Sequence, residues 1–391
     1  MSNWQEFTIS NIIIEQSKSK LQVQNAIDHG SYPFFTSGER ILKHTEYITE
    51  GDNILLATGG VANVKYYSGK CAYSTDTYVI KCKDFDTKFF YYFLLEKRDF
   101  INNNLFSGSG LKHLQKKDFY KICFKAPINT REQQKIAQIL TTTDTVIEKT
   151  QAAIAKYKAI KQGMLNDLFT RGIDIKTGKL RPKHKDAPEL YKESELGWIP
   201  KEWDMKELGD VGEILMCRRI FNHETKDKGE IPFYKIGTFG KVADAFISKD
   251  LYEIYRLNFS FPKKGDILIS AAGTIGRTII YDGTPSYFQD SNIVWIDNDG
   301  HLISNQFLYQ VYQVVKYKTE GGTIQRLYNK ILKSAKFSCP LIDEQSIITE
   351  RLISINIKLQ TEQNYLQKIQ QIKSGLMADL LSGKKIVTVT E

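Results

Sequence analysis

No C-x-x-C pair occurs anywhere in this 391-residue chain, and its five cysteines (Cys71, Cys82, Cys123, Cys217 and Cys339) are odd in number and widely scattered. That argues against a disulfide framework and a cysteine-built zinc site, and for a reducing compartment. The six histidines, His29, His44, His113, His184, His223 and His301, never stand four apart or beside a cysteine pair, so a histidine zinc centre has little support. No apolar run approaches the roughly 20 residues needed to span a bilayer. The opening MSNWQEFTIS has no basic stretch leading into an apolar one, unlike a signal peptide. A soluble, cytoplasmic protein with no membrane partner is expected.

Reactive constellations are scarce too. The glycine-rich stretches Thr58–Gly69 and Ala272–Gly283 fit neither GxxxxGK[ST] nor G-x-G-x-x-G, and GIDIKTGKL (Gly172–Leu180) has the wrong spacing, with Leu180 after Lys179. A methyltransferase of DNA amino groups would carry an Asn/Asp-Pro-Pro-aromatic motif, and this chain has no Pro-Pro pair. The expectation is a binder, not an enzyme by itself.

What is present is enough apolar sequence (41%) for two full cores, and a basic excess, +9 with a pI near 9.0, that suits a polyanionic partner. Above all, the chain is written twice. GDNILLATGGVANVKYYSGKCAYSTDTYVI (51–80) aligns without a gap on GDILISAAGTIGRTIIYDGTPSYFQDSNIV (265–294) at an offset of 214. Gly51, Asp52, Ala57, Gly59, Tyr67, Gly69, Tyr73 and Asp76 meet Gly265, Asp266, Ala271, Gly273, Tyr281, Gly283, Tyr287 and Asp290. Upstream, Trp4 and YPFFTSG match Trp203 and IPFYKIG at an offset of 199; downstream, GSGLKHL…FKAP matches GGTIQRL…FSCP at 213, and EQQKIAQIL matches EQSIITERL at 212. The second copy thus carries 15 extra residues between its first two blocks. The recurring Asp76 and Asp290 read as turn or capping residues before they read as bases.

Each half reads as a mixed α/β unit followed by a long helix. IIIEQ, NILLAT and YVIKC in one copy, and DILISA, RTIIYD and NIVWID in the other, predict short buried strands of a twisted, mainly antiparallel sheet. Phe89–Ile101 and Asn305–Tyr317 are apolar at helical spacing. From Glu132 to Phe169, the positions Ile136, Leu140, Thr143, Ile147, Thr150, Ile154, Tyr157, Lys161, Met164 and Leu168 advance by four and three. After Pro340, the series Ile348, Leu352, Ile355, Leu359, Glu362, Leu366, Ile369, Lys373, Leu376 and Leu380 does the same in the same register. These heptad seams predict an antiparallel coiled coil within the chain, with two ordinary amphipathic helices in separate domains as the alternative. Thr143, Thr150, Lys161, Glu362 and Lys373 weaken the stripes. The basic stretch Arg171–Lys185 reads as a solvated linker or as a phosphate-facing segment.

The blocks GDILIS…GTIGRTIIYDG, GG-x-x-Q-x-L and CPLIDEQSIITERL, with ELGWIPKEW opening the second half and KSGLMADLLSGK ending the last helix, resemble specificity subunits of type I restriction–modification enzymes. The likeness covers nearly the whole chain, in the family's order. It implies an α/β (α+β) fold of two similar target-recognition domains, separated by two long antiparallel helices in a coiled coil, with an internal pseudo-twofold repeat. The implied divisions are 1–130 and 172–342 for the domains (the latter with the linker), 131–171 and 343–383 for the helices, and 384–391 for a tail. Each head would read one half of a split sequence in double-stranded DNA, and the helices would dock two modification (methylase) subunits. Those subunits would carry S-adenosylmethionine, restriction subunits would use ATP and Mg, and this chain would hold none of these cofactors.

Candidate DNA contacts in the first head are Arg40, Lys43, Lys65, Lys112 and His113. In the second they are Arg218, Arg219, Lys241, Thr274, Arg277, Gln325 and Arg326. Arg and Gln are the side chains that grip base edges bidentately, and for any single residue a solvated surface role is the alternative. Lys112 with Gln325, and His113 with Arg326, stand out because they flank repeated glycine turns. A coiled-coil scaffold with two protein-binding heads is the reading from another class; a self-contained restriction or modification enzyme would need a catalytic domain that is not evident.

Overall fold

The computed structural model describes residues 3–317, 327 and 329–388. They gather into two compact units: the chain up to Ile154 together with the part from Glu362, and Ala155–Thr361. Five helices of ten residues or more are described: α1 (Thr87–Glu96), α2 (Thr130–Thr170), α3 (Lys249–Asn258), α4 (Asn305–Val314) and α5 (Ile342–Leu381).

The first unit holds strands β1 (Trp4–Thr8), β2 (Ile13–Glu15), β3 (Tyr32–Phe35), β4 (Leu42–His44), β5 (Asp52–Ala57), β6 (Val64–Ser68), β7 (Ala72–Tyr73), β8 (Thr77–Cys82), β9 (Phe106–Ser107), β10 (His113–Leu114) and β11 (Cys123–Pro127). An antiparallel sheet runs β2-β8-β5-β6, a smaller one runs β4-β3-β7, and β1 pairs with β11. The smaller sheet departs from an all-antiparallel expectation, because β3 and β7 are parallel. Asn53–Ala57 are all buried, which is why this strand reads as a continuous run and not as an alternation. The IIIEQ segment is only half strand: Ile9–Ile12 forms a helical turn that buries Ile9 and Ile12, three apart, and β2 starts at Ile13.

Helix α1 is N-capped by Asp86, whose carboxylate accepts the Phe89 N–H at 2.7 Å, satisfying one of the free donors of the first turn. The single helix expected over Phe89–Ile101 is broken at Lys97 (φ −86°, ψ 6°), and a second helix covers Arg98–Asn104. Beneath α1, Phe93 stacks on Phe124 with ring centres 4.3 Å apart. The early part of α2 and the late part of α5 share this core, through Ile136, Ala137 and Leu140 with Leu376, Leu380 and Leu381. The polar seam residue Lys373 meets Asp144 at 2.5 Å, and Asp144 also accepts the Tyr92 hydroxyl at 2.7 Å. Thr143 and Thr150 close their hydroxyls onto carbonyls one turn back, Ile139 and Val146, so their polarity is absorbed within the helix.

The second unit holds β12 (Ile173–Asp174), β13 (Lys179–Leu180), β14 (Tyr191–Ser194), β15 (Gly197–Pro200), β16 (Asp204–Glu207), β17 (Gly212–Leu215), β18 (Ile231–Tyr234), β19 (Phe246–Ile247), β20 (Ile267–Ser270), β21 (Thr278–Ile280), β22 (Tyr287–Phe288), β23 (Ile293–Asn298) and β24 (Lys336–Cys339). Its sheets run β17-β23-β20-β21 and β19-β18-β22, with β16 on β24. These are the strand orders of the first unit. The extra residues of the second copy contain α3, capped by Ser248. Leu165 and Leu168 of α2 share a core with Ile348 and Leu352 of α5.

The linker is not a solvated tether. Residues 171–200 fold into the hairpins β12–β13 and β14–β15, and Arg181 is buried on Glu344, near the start of α5. The Glu344 carboxylate accepts from both Arg181 nitrogens (2.5 and 3.0 Å), from Trp203 Nε1 (2.9 Å) and from the Ile173 N–H (2.6 Å). Gly172 makes this possible: at φ +62°, a Cβ there would lie 2.2 Å from Glu344 Oε1 and from the Trp203 ring. A buried carboxylate has to be matched in this way or it destabilises the fold. The residues after the repeated glutamates, Gln133 and Gln345, do matching work. Each side-chain oxygen accepts a backbone N–H at the N-cap of the helix beside it, Asp86 of α1 or Ser304 of α4, and each side-chain nitrogen donates to a proline carbonyl, Pro127 or Pro340.

Candidate nucleic-acid interface

In the first head, four loops are tied together at one end of the β5–β6 hairpin. The Asp76 carbonyl is a hub, accepting from the Thr58 N–H (3.1 Å), the Thr58 hydroxyl (2.8 Å) and the Ser37 hydroxyl. Asp76 therefore acts through its backbone, as a turn residue does. The Gly60 N–H donates to the Lys112 carbonyl (2.9 Å), the Leu114 N–H to the Thr58 carbonyl (3.0 Å), and Gly59 bridges His113. The loop after β3, the β5–β6 turn, the β7–β8 turn and the β9–β10 turn thus form one surface.

Arg40, Lys43, Lys112 and His113 are exposed on that head. Lys65 instead braces the fold. Its half-buried ammonium donates to the carbonyls of Thr36 (3.1 Å) and Gly38, holding the loop after β3. Burial pulls this ammonium below the usual lysine range, and neighbouring Glu39 works in the other direction.

In the second head, Thr274, Arg277 and Lys241 are brought together through Ser270 and the turn at Phe239, whereas Arg218 and Arg219 have partners of their own. Arg219 Nε donates to Asp290 at 2.7 Å, and the Gln289 side-chain oxygen accepts the Ile236 N–H at 2.9 Å. Arg277 Nη1 donates to the Phe239 carbonyl at 2.8 Å, Lys241 closes the adjacent turn onto Thr238 (2.9 Å), and the Thr274 carbonyl accepts the Ser270 hydroxyl at 2.6 Å. Arg218 lies over the Phe259 ring, 5.1 Å from its centre. Arg218, Arg219, Lys241 and Thr274 are exposed and Arg277 is half-buried. Gln325 and Arg326 lie outside the described residues.

Sequence reading passed over Asn102, whose side-chain oxygen accepts the Ala62 N–H at 2.9 Å and ties the helix after α1 to the β5–β6 turn. It also passed over Val61 and Leu111, aliphatic and exposed on the same loops. The repeat carries a signal for Val61, which aligns with Ile275. The assembled surfaces offer cations, amides, hydroxyls and aliphatic groups on rigid turns. That inventory suits recognition of a phosphate backbone and of base edges.

Comparison with known proteins supplies a frame for these surfaces. A family model described as the type I restriction modification DNA specificity domain matches residues 1–157 and 200–371. A putative type I restriction enzyme specificity subunit of Haemophilus influenzae is 38% identical over 354 residues, covering 89% of this chain and 83% of the relative. The MjaVIII type I restriction enzyme specificity subunit of Methanocaldococcus jannaschii is 26% identical over 413 residues, covering 98% and 93%. In fold, the chain is similar to the crystal structure of the S subunit of a type I restriction–modification system from M. genitalium, with a TM-score of 0.67 at 16% identity, covering 100% of this chain and 97% of that one.

Proposed function

Because the chain belongs to the type I restriction–modification specificity family, we propose that its two heads each read one half of a split, asymmetric sequence in double-stranded DNA. It is a specificity subunit with two target-recognition domains, the non-catalytic member of such a system. One observation carries the division of labour: the heads have the same strand orders but set different side chains on corresponding loops. A shared scaffold with divergent loops is what two readers of different half-sites require. Phosphate contacts from the exposed lysines and arginines supply affinity and register, and loop side chains supply sequence.

In this reading α2 and α5 pair as an antiparallel coiled coil that spaces the heads, and the chain has a pseudo-twofold repeat. Support comes from the apolar seam positions shared between the helices, Ile136 and Leu140 with Leu376 and Leu380, and Leu165 and Leu168 with Ile348 and Leu352. The outer faces of these helices dock two methylase subunits. S-adenosylmethionine sits in those subunits, ATP and Mg in the restriction subunits that join them, and the assembly works in the cytoplasm. Mapping methylated adenines in cells expressing the chain with its methylase tests the proposal. The expected result is one bipartite sequence with an unread gap; an uninterrupted site, or methylation without sequence preference, would refute it.

A further inference from the structure

Val61 is 72% exposed and Leu111 64% exposed, yet neither lies on a loose loop. The β5–β6 and β9–β10 turns that carry them are strapped together by the Gly60–Lys112 and Leu114–Thr58 hydrogen bonds. The Leu111 side chain lies against Gly59, its Cδ2 3.5 Å from where a Cβ would stand. At the offset of 214, Val61 corresponds to Ile275, which packs against the core of the second head. The scaffold can therefore bury an aliphatic group at this position, and the first head does not use that option. Single exposed aliphatic side chains are common on surfaces, but two that are held on hydrogen-bonded turns lose little freedom when apolar surface covers them, so covering them is favourable. Arg98 lines the same hollow as Val61, but so do Glu39 and Asp99, the latter 3.7 Å from the Arg98 guanidinium, so the cover is chosen by the proposed role of this head and not by local charge: it is DNA. The one apolar group that DNA presents in its major groove is the 5-methyl of thymine.

We infer that Val61 and Leu111 read thymine 5-methyl groups in the half-site of the first head. This rests on the proposal that the head binds DNA. The test uses the assembled complex with its methylase and duplexes carrying the mapped bipartite sequence. Each thymine of the first half-site is replaced in turn by deoxyuracil, which removes the methyl group and leaves pairing intact. At least one replacement should weaken wild-type binding about three- to fivefold, the worth of one buried methyl group. Val61→Ser and Leu111→Ser should each weaken binding to the thymine duplex by a similar factor, and the double variant should bind thymine and deoxyuracil duplexes equally. Retained preference at the non-thymine positions of the first half-site reports that the first head of each variant is folded. The inference is overturned if the wild type ignores every replacement, or if the double variant still discriminates. It is also overturned if the serine variants lose affinity equally on thymine and deoxyuracil duplexes, the mark of a wedge or of phosphate support. A complex with no sequence preference in the first half would instead overturn the DNA-reading proposal itself.

Discussion

Glu344 shows how much one buried charge can organise. Its carboxylate is matched by Arg181, Trp203 and the Ile173 N–H, and both ionic side chains are almost inaccessible, 7% for Arg181 and 2% for Glu344. Glu344→Ala would leave the buried guanidinium with the exposed Glu202 carboxylate, 2.7 Å away, as its remaining ionic partner, so the loss approaches the roughly 3–5 kcal/mol of a broken buried pair only as far as Glu202 fails to replace it. Urea unfolding followed by tryptophan fluorescence should show the second unit destabilised; an unchanged midpoint would mean that Glu202 and water satisfy Arg181. The cysteines give a second prediction. Burial pushes the thiols of Cys71, Cys82 and Cys217 up to about 12, and that of Cys339 to about 11, while Cys123 is exposed. Iodoacetamide near neutral pH should therefore add one label to the native protein, at Cys123, and reach the other four after denaturation, as mass spectrometry can count. Roles at this scale were the least legible in the sequence. Lys65 and Lys112 look alike on paper; which ammonium meets a backbone carbonyl depends on loops brought together by the fold.

At the scale of elements, the two long helices were the clearest feature of the sequence, because a heptad repeat survives even where Thr, Lys and Glu interrupt it. Their polar seam residues have physical answers in Asp144 for Lys373 and in back-bonded hydroxyls for the threonines. The fold of the linker is hidden in the sequence because Arg171 and Arg181 look like part of a solvated basic run. Arg171 instead donates to the Arg181 carbonyl at 2.8 Å, and Arg181 reaches a carboxylate 163 residues away, a pairing that no local pattern announces. Small breaks escaped for the same reason: the turn at Lys97 and the helical start before β2 are set by what packs beneath them. In the proposed complex the outer helix faces dock the methylase. Gln138, Lys156 and Lys368 are exposed there. Lys156→Glu with Lys368→Glu should weaken copurification with the methylase and leave helicity by circular dichroism unchanged. Loss of copurification only on altering head loops would move the docking surface elsewhere.

At the scale of the whole molecule, the duplication organises everything, and it was legible because glycine turns and buried strands tolerate little change. The loops between them diverge, which is why the repeat identifies the scaffold and leaves the half-sites open. If the paired helices measure DNA, their length sets the gap between half-sites. A matched four-residue insertion near Thr150 and Glu362 lengthens each helix by about 6 Å, against roughly 3.4 Å per base pair of DNA. The methylated sites should keep both half-sites with a gap about one to two base pairs longer; an active variant with an unchanged gap would remove the ruler from the account. The central claim, that each head reads alone, meets its most direct test in an exchange of residues 1–130 for those of a related subunit with a different target. Sequencing of methylated sites should then show the first half of the recognised sequence replaced and the second retained, whereas a change in both halves, or in neither, would contradict it.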